Sequence, residues 1–379
     1  MREVVIVDGV RTPIGRGSKD KGYYKDVRSD DLAVSCVRRL MERNPKVDPG
    51  EIEDIVWGCA NQSGEQGLNV GRMIGLLAGL PVEVAGTTVD RQCGSSLQAV
   101  NFAAQELMAG AGEIAIAGGV EHMTHIPMGS GASPNPKLMD MFPRDMFFMG
   151  LTAERLAEMY HIAREQSDAF SLRSNQRAIA ARERYKEEIV PIKLPDGTTV
   201  DIDQGPRADT SLEKLAALQP SFKPGGQVTA GNSSQISDGA AAVLLMTAER
   251  ARALGVKPMA KIRATAVAGV RPEIMGWGPV PSTRKALNRV GLQITDIALF
   301  EINEAFAAQL LACNTELKID EARLNVNGGA VALGHPLGCS GARLVVTFAH
   351  EMRRRGAALG LVTMCIGVGQ GIATVVEQI

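Results

Sequence analysis

Two stretches far apart in the chain share one plan. QCGSSLQAVNFAAQELMAG (residues 92–110) and GCSGARLVVTFAHEMRRRG (residues 338–356) have the same length. Each opens with a cysteine among small residues, carries apolar side chains at helical spacing, and ends in glycine before an apolar strand. A strand pattern precedes each as well. The chain therefore reads as a duplicated α/β unit, one copy in each half, with Cys339 falling opposite Cys93.

The rest of the pattern agrees. REVVIVDGV is a predicted strand, SDDLAVSCVRRLMERNP a helix opened by Ser29 or Asp30, IEDIVWGCA a strand, GLNVGRMIGLLAGL a helix, AGTTVD a strand and EIAIAGG another. Such alternation predicts a sheet covered by helices on both faces. Residues 123–236 differ. They begin with a Pro-, Gly- and Met-rich loop, continue with a polar helix (REQSDAFSLRSNQRAIAARERYKEEI), and pass through a hairpin-like LPDGTTVDIDQGPRAD. The expected organisation is a first half over 1–122, an inserted loop domain over 123–236, the end of the first half over 237–258, and a second half over 259–379.

Composition narrows the function. A net charge of −1 with 4% aromatics excludes the basic, stacking-rich face of a nucleic-acid binder. The run Arg353–Arg355 is a solvated helix end. No apolar run reaches the length of a membrane span, the charged N-terminus is not a signal peptide, and the expected location is cytoplasmic. The six cysteines lack C-x-x-C pairing and read as free thiols. Metal is not expected: His122 and His125 in EHMTH lack the H-E-x-x-H order.

Cys93 carries the chemistry. It lies between a strand and a helix start, where unpaired N–H groups and the helix dipole favour a thiolate and can bind an oxyanion. An inert buried cysteine is the bland alternative, and this segment alone does not separate the two. Three more segments add to it. His335 sits in the Gly-rich NVNGGAVALGHPLGCSG, placed to act as a base. Cys365 lies between two strands in LVTMCIGVGQGIATVV, where Gly367, Gly369 and Gly371 permit close backbone approach. Asn303-Glu304 stands at a predicted helix start in IALFEINEAFAAQLLA, where capping alone explains an Asn.

Together VVIVDGVRTPIG, CGSS, GGVEHM, MGLTAE, TAGNSSQISDGAAA, MGWGPVP, NEAFAAQ, GGAVALGHPLGCSGAR and MCIGVGQG resemble the thiolase family nearly end to end, and most closely its bacterial degradative 3-ketoacyl-CoA members. The resemblance implies two βαβαβαββ halves in a five-layered α-β-α-β-α core with a loop domain inserted in the first half. It implies Cys93 as nucleophile, His335 as its activator, and Cys365 as the acid/base that protonates the departing acetyl-CoA carbanion. Asn303, through a water, and His335 would hold the thioester oxyanion, and the N–H groups of Cys93 and Gly367 that of the attacked carbonyl. For CoA, a co-substrate with no permanently bound cofactor beside it, the matching positions are Arg207, Phe222 and Ser234. The acyl pocket falls to Phe148, Met149 and Phe306.

Cys36, Cys59 and Cys313 are read as structural, and Cys339 as packing against Cys93. Asp90 stands where many members have Asn; unless solvated or paired with Arg91 it raises the Cys93 pKa. Phe148 stands where short-chain biosynthetic members often have His, which suits a longer acyl chain. The competing readings are an acetoacetyl-CoA thiolase (acetyl-CoA acetyltransferase), an inactive thiolase-like scaffold and a decarboxylating condensing enzyme. The presence of Cys365 opposes the last. The resemblance also implies a homodimer or tetramer, and degradative members can join a hydratase–dehydrogenase subunit.

Overall fold

Val-, Ile- and Ala-rich runs become strands buried on both faces, and amphipathic runs become the helices that cover them. The computed structural model describes all 379 residues. Counting strands of four residues or more and helices of nine or more, the first part is β1 (Val4–Arg11), α1 (Ser29–Arg43), β2 (Ile52–Gly58), α2 (Val70–Ala78), β3 (Ala85–Val89), α3 (Ser95–Ala109) and β4 (Ile114–His122). Two helices, α4 (Met149–Met159) and α5 (Arg164–Ala180), precede β5 (Ser237–Thr247). There follow β6 (Ala260–Gly269), α6 (Pro279–Arg289), β7 (Leu299–Ile302), α7 (Ala307–Leu317), α8 (Leu337–Arg355), β8 (Leu359–Ile366) and β9 (Gln370–Gln378).

Strand order makes the duplication visible. The strands run β7-β8-β9-β6-β1-β5-β4-β2-β3, with β2–β3, β2–β4 and β7–β8 parallel and the other neighbours antiparallel. Reading outward from the centre, β1-β5-β4-β2 corresponds to β6-β9-β8-β7. The place corresponding to β3 holds only a single parallel bridge between Phe300 and Leu324. The two sheets touch through two residue pairs, Val5 with Lys261 and Ile6 with Ala260.

Five layers result. Helices α1 and α2 cover the outer face of the first sheet, α6 and α7 that of the second, and α3 and α8 lie side by side between them. The core divides accordingly. One cluster joins α1 and α2 to Ile55, Ile116 and Leu244; a central one joins Leu97, Val100 and Leu344 to Val243 and Val362; a third joins α6 and α7 to Phe300 and Val375.

The central helices meet backbone to backbone near their N-terminal ends. A Cβ on Gly341 would lie 2.3 Å from the Leu97 nitrogen, and one on Gly119 would lie 2.0 Å from the Gly338 carbonyl oxygen. Ser96 Oγ accepts the Ala342 N–H at 2.9 Å. The segment between β4 and β5 is held by polar contacts. The core side of α5 buries Ser167, Asp168, Ser171, Ser174 and Asn175, and fully buried Arg11 of β1 binds Glu188 at 2.5 Å and Asp203 at 2.6 Å. Removing both carboxylates would strand a buried cation, a far larger penalty than loss of a surface pair carries.

Gly341→Ala is expected to cost about 1–3 kcal/mol by overpacking against backbone that cannot yield. Gly269→Ala, where a Cβ meets nothing within 4 Å, should stay within ~0.5 kcal/mol. Thermal unfolding of the two variants checks the contrast.

Candidate active site

The strand β3 passes to α3 through a turn that bonds to itself. Gln92 adopts φ 47°, and its N–H donates to Asp90 Oδ1 at 2.6 Å. The Ser95 hydroxyl accepts the Arg91 N–H at 2.9 Å and donates to the Gln92 carbonyl at 2.6 Å. This fixes Cys93 just ahead of the helix. A Cβ on Gly94 would lie 2.7 Å from Ile366 Cδ1, so a larger residue there would push the Ile366 side chain aside. Asp90 is exposed and not paired with Arg91, whose Nη1 donates instead to Gln370 Oε1 at 2.7 Å.

The surroundings of the thiol oppose the thiolate that its place at the helix start favours. Burial pushes the Cys93 thiol up to about 11, outweighing the N–H groups of Gly367 and of Cys93 itself, and Glu121 and Asp90 push the same way. A helix terminus contributes about 0.3–1 kcal/mol, while one pKa unit is about 1.4 kcal/mol. Desolvation wins.

His335 precedes α8 and is only 5% exposed. Its N–H donates to the Gln235 carbonyl at 3.1 Å. The Ser340 hydroxyl, 2.5 Å from His335 Nδ1, donates to the Pro336 carbonyl at 2.9 Å. With its one proton so used, Ser340 accepts from Nδ1–H, which leaves Nε2 as the free basic nitrogen. Asn303 Nδ2 donates to Nε2 at 3.3 Å. Burial, followed by the positive charge of Arg343, lowers the imidazole to about 3, so it rests neutral. Sequence reasoning missed Ser340; its only signal was a hydroxyl in the first turns of the helix after the histidine.

Asn303 does not start a helix. The segment 303–306 is not helical, α7 begins at Ala307, and Phe306, itself extended, is its N-cap residue without a side-chain cap bond. Tertiary bonds hold it: Ser234 N–H donates to the Ala305 carbonyl and Ala307 N–H to the Asn232 carbonyl, each at 2.9 Å. Glu304 accepts Ser174 Oγ at 2.6 Å, Asn325 Nδ2 at 2.9 Å and the Val331 N–H at 3.2 Å, anchoring the loop that carries His335.

Cys365 lies inside β8 rather than between strands, because β8 runs on to Ile366. Burial, then the neighbouring Cys93 and Cys313, raises its thiol well above the ordinary range. It packs with Ala153, Val228, Met275, Ala305 and Phe306, against which Met149 also lies. The hairpin after β8 places Val368 at φ 62° and Gly369 at φ 86°; a β-branched residue there is strained by roughly 1–3 kcal/mol. A Cβ on Gly367 would touch Met149 Sδ at 3.7 Å.

The acyl-pocket residues separate. Met149 and Phe306 join the Cys365 cluster, whereas Phe148 does not: it is 61% exposed, at the extended position before α4, where consecutive side chains face opposite ways. Phe222 lies over Gly150 and meets the Phe306 ring edge-on, 6.0 Å between centroids.

Arg207 is exposed at a cleft of about 160 Å³ that it lines with Asp209, Lys214, Leu218, Gln235 and Val331. Lys214, missed in the sequence, pairs there with Asp209 at 2.7 Å. Ser234 is half-buried beside Gln235, on the loop that binds both Ala305 and His335.

Two other sequence features resolve differently. Cys339 does not meet Cys93; it packs on Ala241 and Ala342, since the first turn of α8 lies over the first sheet. His122, His125 and Glu65 bring potential ligand atoms within 4.8 Å of one another. The imidazoles stack at 3.9 Å, and His125 is held by Glu65 at 3.1 Å and the Lys25 carbonyl at 2.8 Å, His122 by the Tyr24 carbonyl at 3.0 Å. Stacked rings do not aim their nitrogens at one point.

Comparison with known proteins defines the class: an acyltransferase whose two halves match the thiolase N-terminal domain over residues 4–249 and the thiolase C-terminal domain over 256–378. The chain belongs to the thiolase family. It is 51% identical to 3-ketoacyl-CoA thiolases of Marinobacter nauticus, covering 100% of this chain and 99% of that one, and of Aliivibrio fischeri, covering 100% of both. Its structure superposes on Bacillus anthracis acetyl-CoA acetyltransferase with TM-score 0.92 at 40% identity, and on human mitochondrial 3-ketoacyl-CoA thiolase with 0.91 at 36%. Each superposition covers 100% of this chain and 99% of the other.

Ser340→Ala is expected to leave Nδ1–H without its acceptor, at about 1–3 kcal/mol, and so to lower kcat roughly ten- to a hundredfold with KM little changed. Steady-state kinetics checks it.

Proposed function

We propose that the chain is a 3-ketoacyl-CoA thiolase of fatty-acid β-oxidation, cleaving 3-ketoacyl-CoA with CoA to acetyl-CoA and a shortened acyl-CoA. The observation that carries the reading is the pairing of two thiols in unlike settings: Cys93 half-exposed at a helix start, Cys365 buried beside it in the strand that leads to Gly367. Bacterial relatives named 3-ketoacyl-CoA thiolase, half of whose residues are shared along the whole chain, support the same reading.

The steps follow from the side chains. His335 Nε2 takes the Cys93 proton as the sulfur attacks C3 of the substrate, and the N–H groups of Cys93 and Gly367 hold the resulting oxyanion. The C2–C3 bond breaks, leaving an acyl group on Cys93 and an electron pair on C2 of acetyl-CoA. Asn303 Nδ2, acting through a water, and the protonated His335 hold the thioester oxygen that shares this charge. Cys365 gives its proton to C2; burial keeps that thiol protonated until it is needed. The Cys365 thiolate then takes the proton of incoming CoA, whose sulfur attacks the acyl group. Cys93 leaves as thiolate and recovers its proton from His335. No metal or resident cofactor enters.

Arg207 receives the nucleotide end of CoA, and Phe222 and Ser234 flank the pantetheine arm, which the cleft leading to Gln235 and Val331 supports. Met149 and Phe306 bound the acyl chain; Phe148 is withdrawn from that role. Acetyl-CoA acetyltransferase is the second reading, supported by the likeness to the B. anthracis structure. An inactive scaffold is opposed by the complete set Cys93, His335, Cys365, Asn303 and Gly367.

A homodimer, or a tetramer built from it, fits the edge strand β3, unpaired on its outer side, with Leu68, Met73, Leu76, Leu77 and Val82 exposed around it. No helix is long and apolar enough to cross a membrane. A cytoplasmic setting fits six free thiols. A hydratase–dehydrogenase subunit is the multienzyme partner proposed.

Cys93→Ala should abolish acyl-enzyme formation, whereas Cys365→Ala should still take an acyl group from a thioester yet fail at C–C cleavage. Mass spectrometry of the intact protein reads both, and an unacylated Cys365→Ala protein would refute this division of roles. Thiolysis of a long-chain 3-ketoacyl-CoA is expected to outpace that of acetoacetyl-CoA. The reverse preference would select the acetyltransferase reading, and no turnover of either the scaffold.

A further inference from the structure

Near the end of β4, the Glu121 side chain lies wholly inside the protein among N–H groups. Its Oε2 accepts the Ala60 N–H at 2.9 Å and the Gly338 N–H at 2.8 Å. Its Oε1 accepts the Asn61 N–H and Asn61 Nδ2, each at 3.1 Å, and Gln66 Nε2 at 3.0 Å. Backbone partners fix the sense of both amides, since Asn61 Oδ1 accepts the Gly129 N–H and Gln66 Oε1 the His122 N–H. A proton on either carboxyl oxygen would therefore face an N–H group, so the five donors select the carboxylate. Burial raises its pKa, and the same N–H groups oppose that rise.

The two bonds to Oε2 come from opposite halves of the chain. Gly338 is the second residue of α8, whose N-cap residue, Pro336, makes no side-chain cap bond. The Glu121 carboxylate takes the place of that cap and sits at the positive end of the helix. The Cys339 and Ser340 N–H groups return to the Pro336 carbonyl at 3.0 and 2.9 Å, so the turn that carries His335 and its acceptor Ser340 is tied to the same point. On the other side, Ala60 follows β2, and the Cys59 N–H donates to the Val89 carbonyl at 3.1 Å, at the end of the strand that leads to Cys93. A Cβ on Gly58 would lie 2.2 Å from the Ser96 nitrogen, and one on Gly338 would lie 2.8 Å from both Cys59 Cα and Glu121 Oε2. The segments that lead to Cys93 and to His335 thus meet without slack at one carboxylate.

We propose that Glu121 is a positioning residue for the thiolase reaction: its carboxylate, shared between Ala60 and Gly338, sets the start of α8, and with it His335, against the turn that holds Cys93. It acts through backbone N–H groups and exchanges no proton. A neutral isostere cannot replace it, because an amide would turn its NH2 toward N–H groups on one side or the other and push that segment away. The inference rests on the reading of Cys93 and His335 as the nucleophile and base of a thiolase.

The test sets Glu121→Gln beside Leu40→Ala, a buried position of α1 on the outer face of the first sheet, both in the full chain. Glu121→Gln is expected to lower kcat for thiolysis of acetoacetyl-CoA roughly ten- to a hundredfold, the cost of misplacing a reacting group by about 1 Å, with KM within about twofold. Acylation of Cys93 by acetyl-CoA, read by mass spectrometry of the intact protein, should slow by a similar factor, because His335 takes the thiol proton there as well. Leu40→Ala should lower Tm at least as far yet keep kcat within about twofold of the parent. A parental kcat in Glu121→Gln, a lowered kcat with unslowed acylation, or an equal loss of kcat in Leu40→Ala would overturn the proposal. If Glu121→Gln does not fold, Glu121→Asp decides: charged but one methylene short of spanning both segments, it should also lose kcat with KM kept, and a parental kcat would overturn the proposal. A parent enzyme that turns over no ketoacyl-CoA refutes the thiolase reading itself, a result distinct from an active parent with an equally active Glu121→Gln.

Discussion

The contact between α3 and α8 is the constraint on which the site depends. Only Gly341 lets the Leu97 backbone approach, and Ser96 ties the pair by accepting the Ala342 N–H. Each helix is the central member of one copy of the duplicated unit, so the crossing fixes how the copies sit. It sets the residues that precede the helices, Cys93 and His335, at the same end of the central layer. Neither half holds the whole set: the nucleophile's turn belongs to the first sheet, while Cys365, Gly367, Asn303 and His335 come from the second. A small residue at a crossing thus has consequences for chemistry several residues away.

Electrostatics at the site runs against the simple helix-terminus picture. The dipole acts in the expected direction, but its contribution of under about 1 kcal/mol is smaller than the desolvation that lifts Cys93 to about 11 and lowers His335 to about 3. The resting pair is therefore neutral, unlike the ion pair of low-pKa cysteine enzymes. Charge appears only as the carbonyl is attacked, where N–H donors are already in place to receive it. Burial also keeps Cys365 protonated, which suits an acid that must quench a carbanion.

Much of this was legible in the sequence, because it rests on local pattern. The duplicated helix starts, the strand runs and the polar helix now seen as α5 were all expected, and the five-layered fold follows from the family resemblance. What escaped depends on contacts between distant segments. Phe148 and Met149 are adjacent, and only the extended backbone before α4 decides which one turns inward. Asn303 sits where a capping residue belongs, yet Glu304, Ser234 and Asn232 hold its segment out of the helix, and Asn303 bonds His335 instead. Cys339 copies Cys93 in position but packs on Ala241, because the copies exchange sheets at the helix starts. Ser340 lies inside a recognised motif, but its role shows only when its hydroxyl is seen 2.5 Å from His335 Nδ1.

The duplication is incomplete at one place. Where the first half has β3, the second has only the bridge from Leu324 to Phe300, and Asn325 seals the rim by bonding both the N–H and the carbonyl of Ile302 at 2.8 Å. A faithful second copy would have given the subunit two open strand edges, one at each end of its sheets. A particle with two such edges can add neighbours without limit, as fibres do, whereas one with a single edge is satisfied by one partner in twofold relation and then stops. The lost strand leaves this subunit one open strand edge to offer a neighbour where a faithful copy would have offered two.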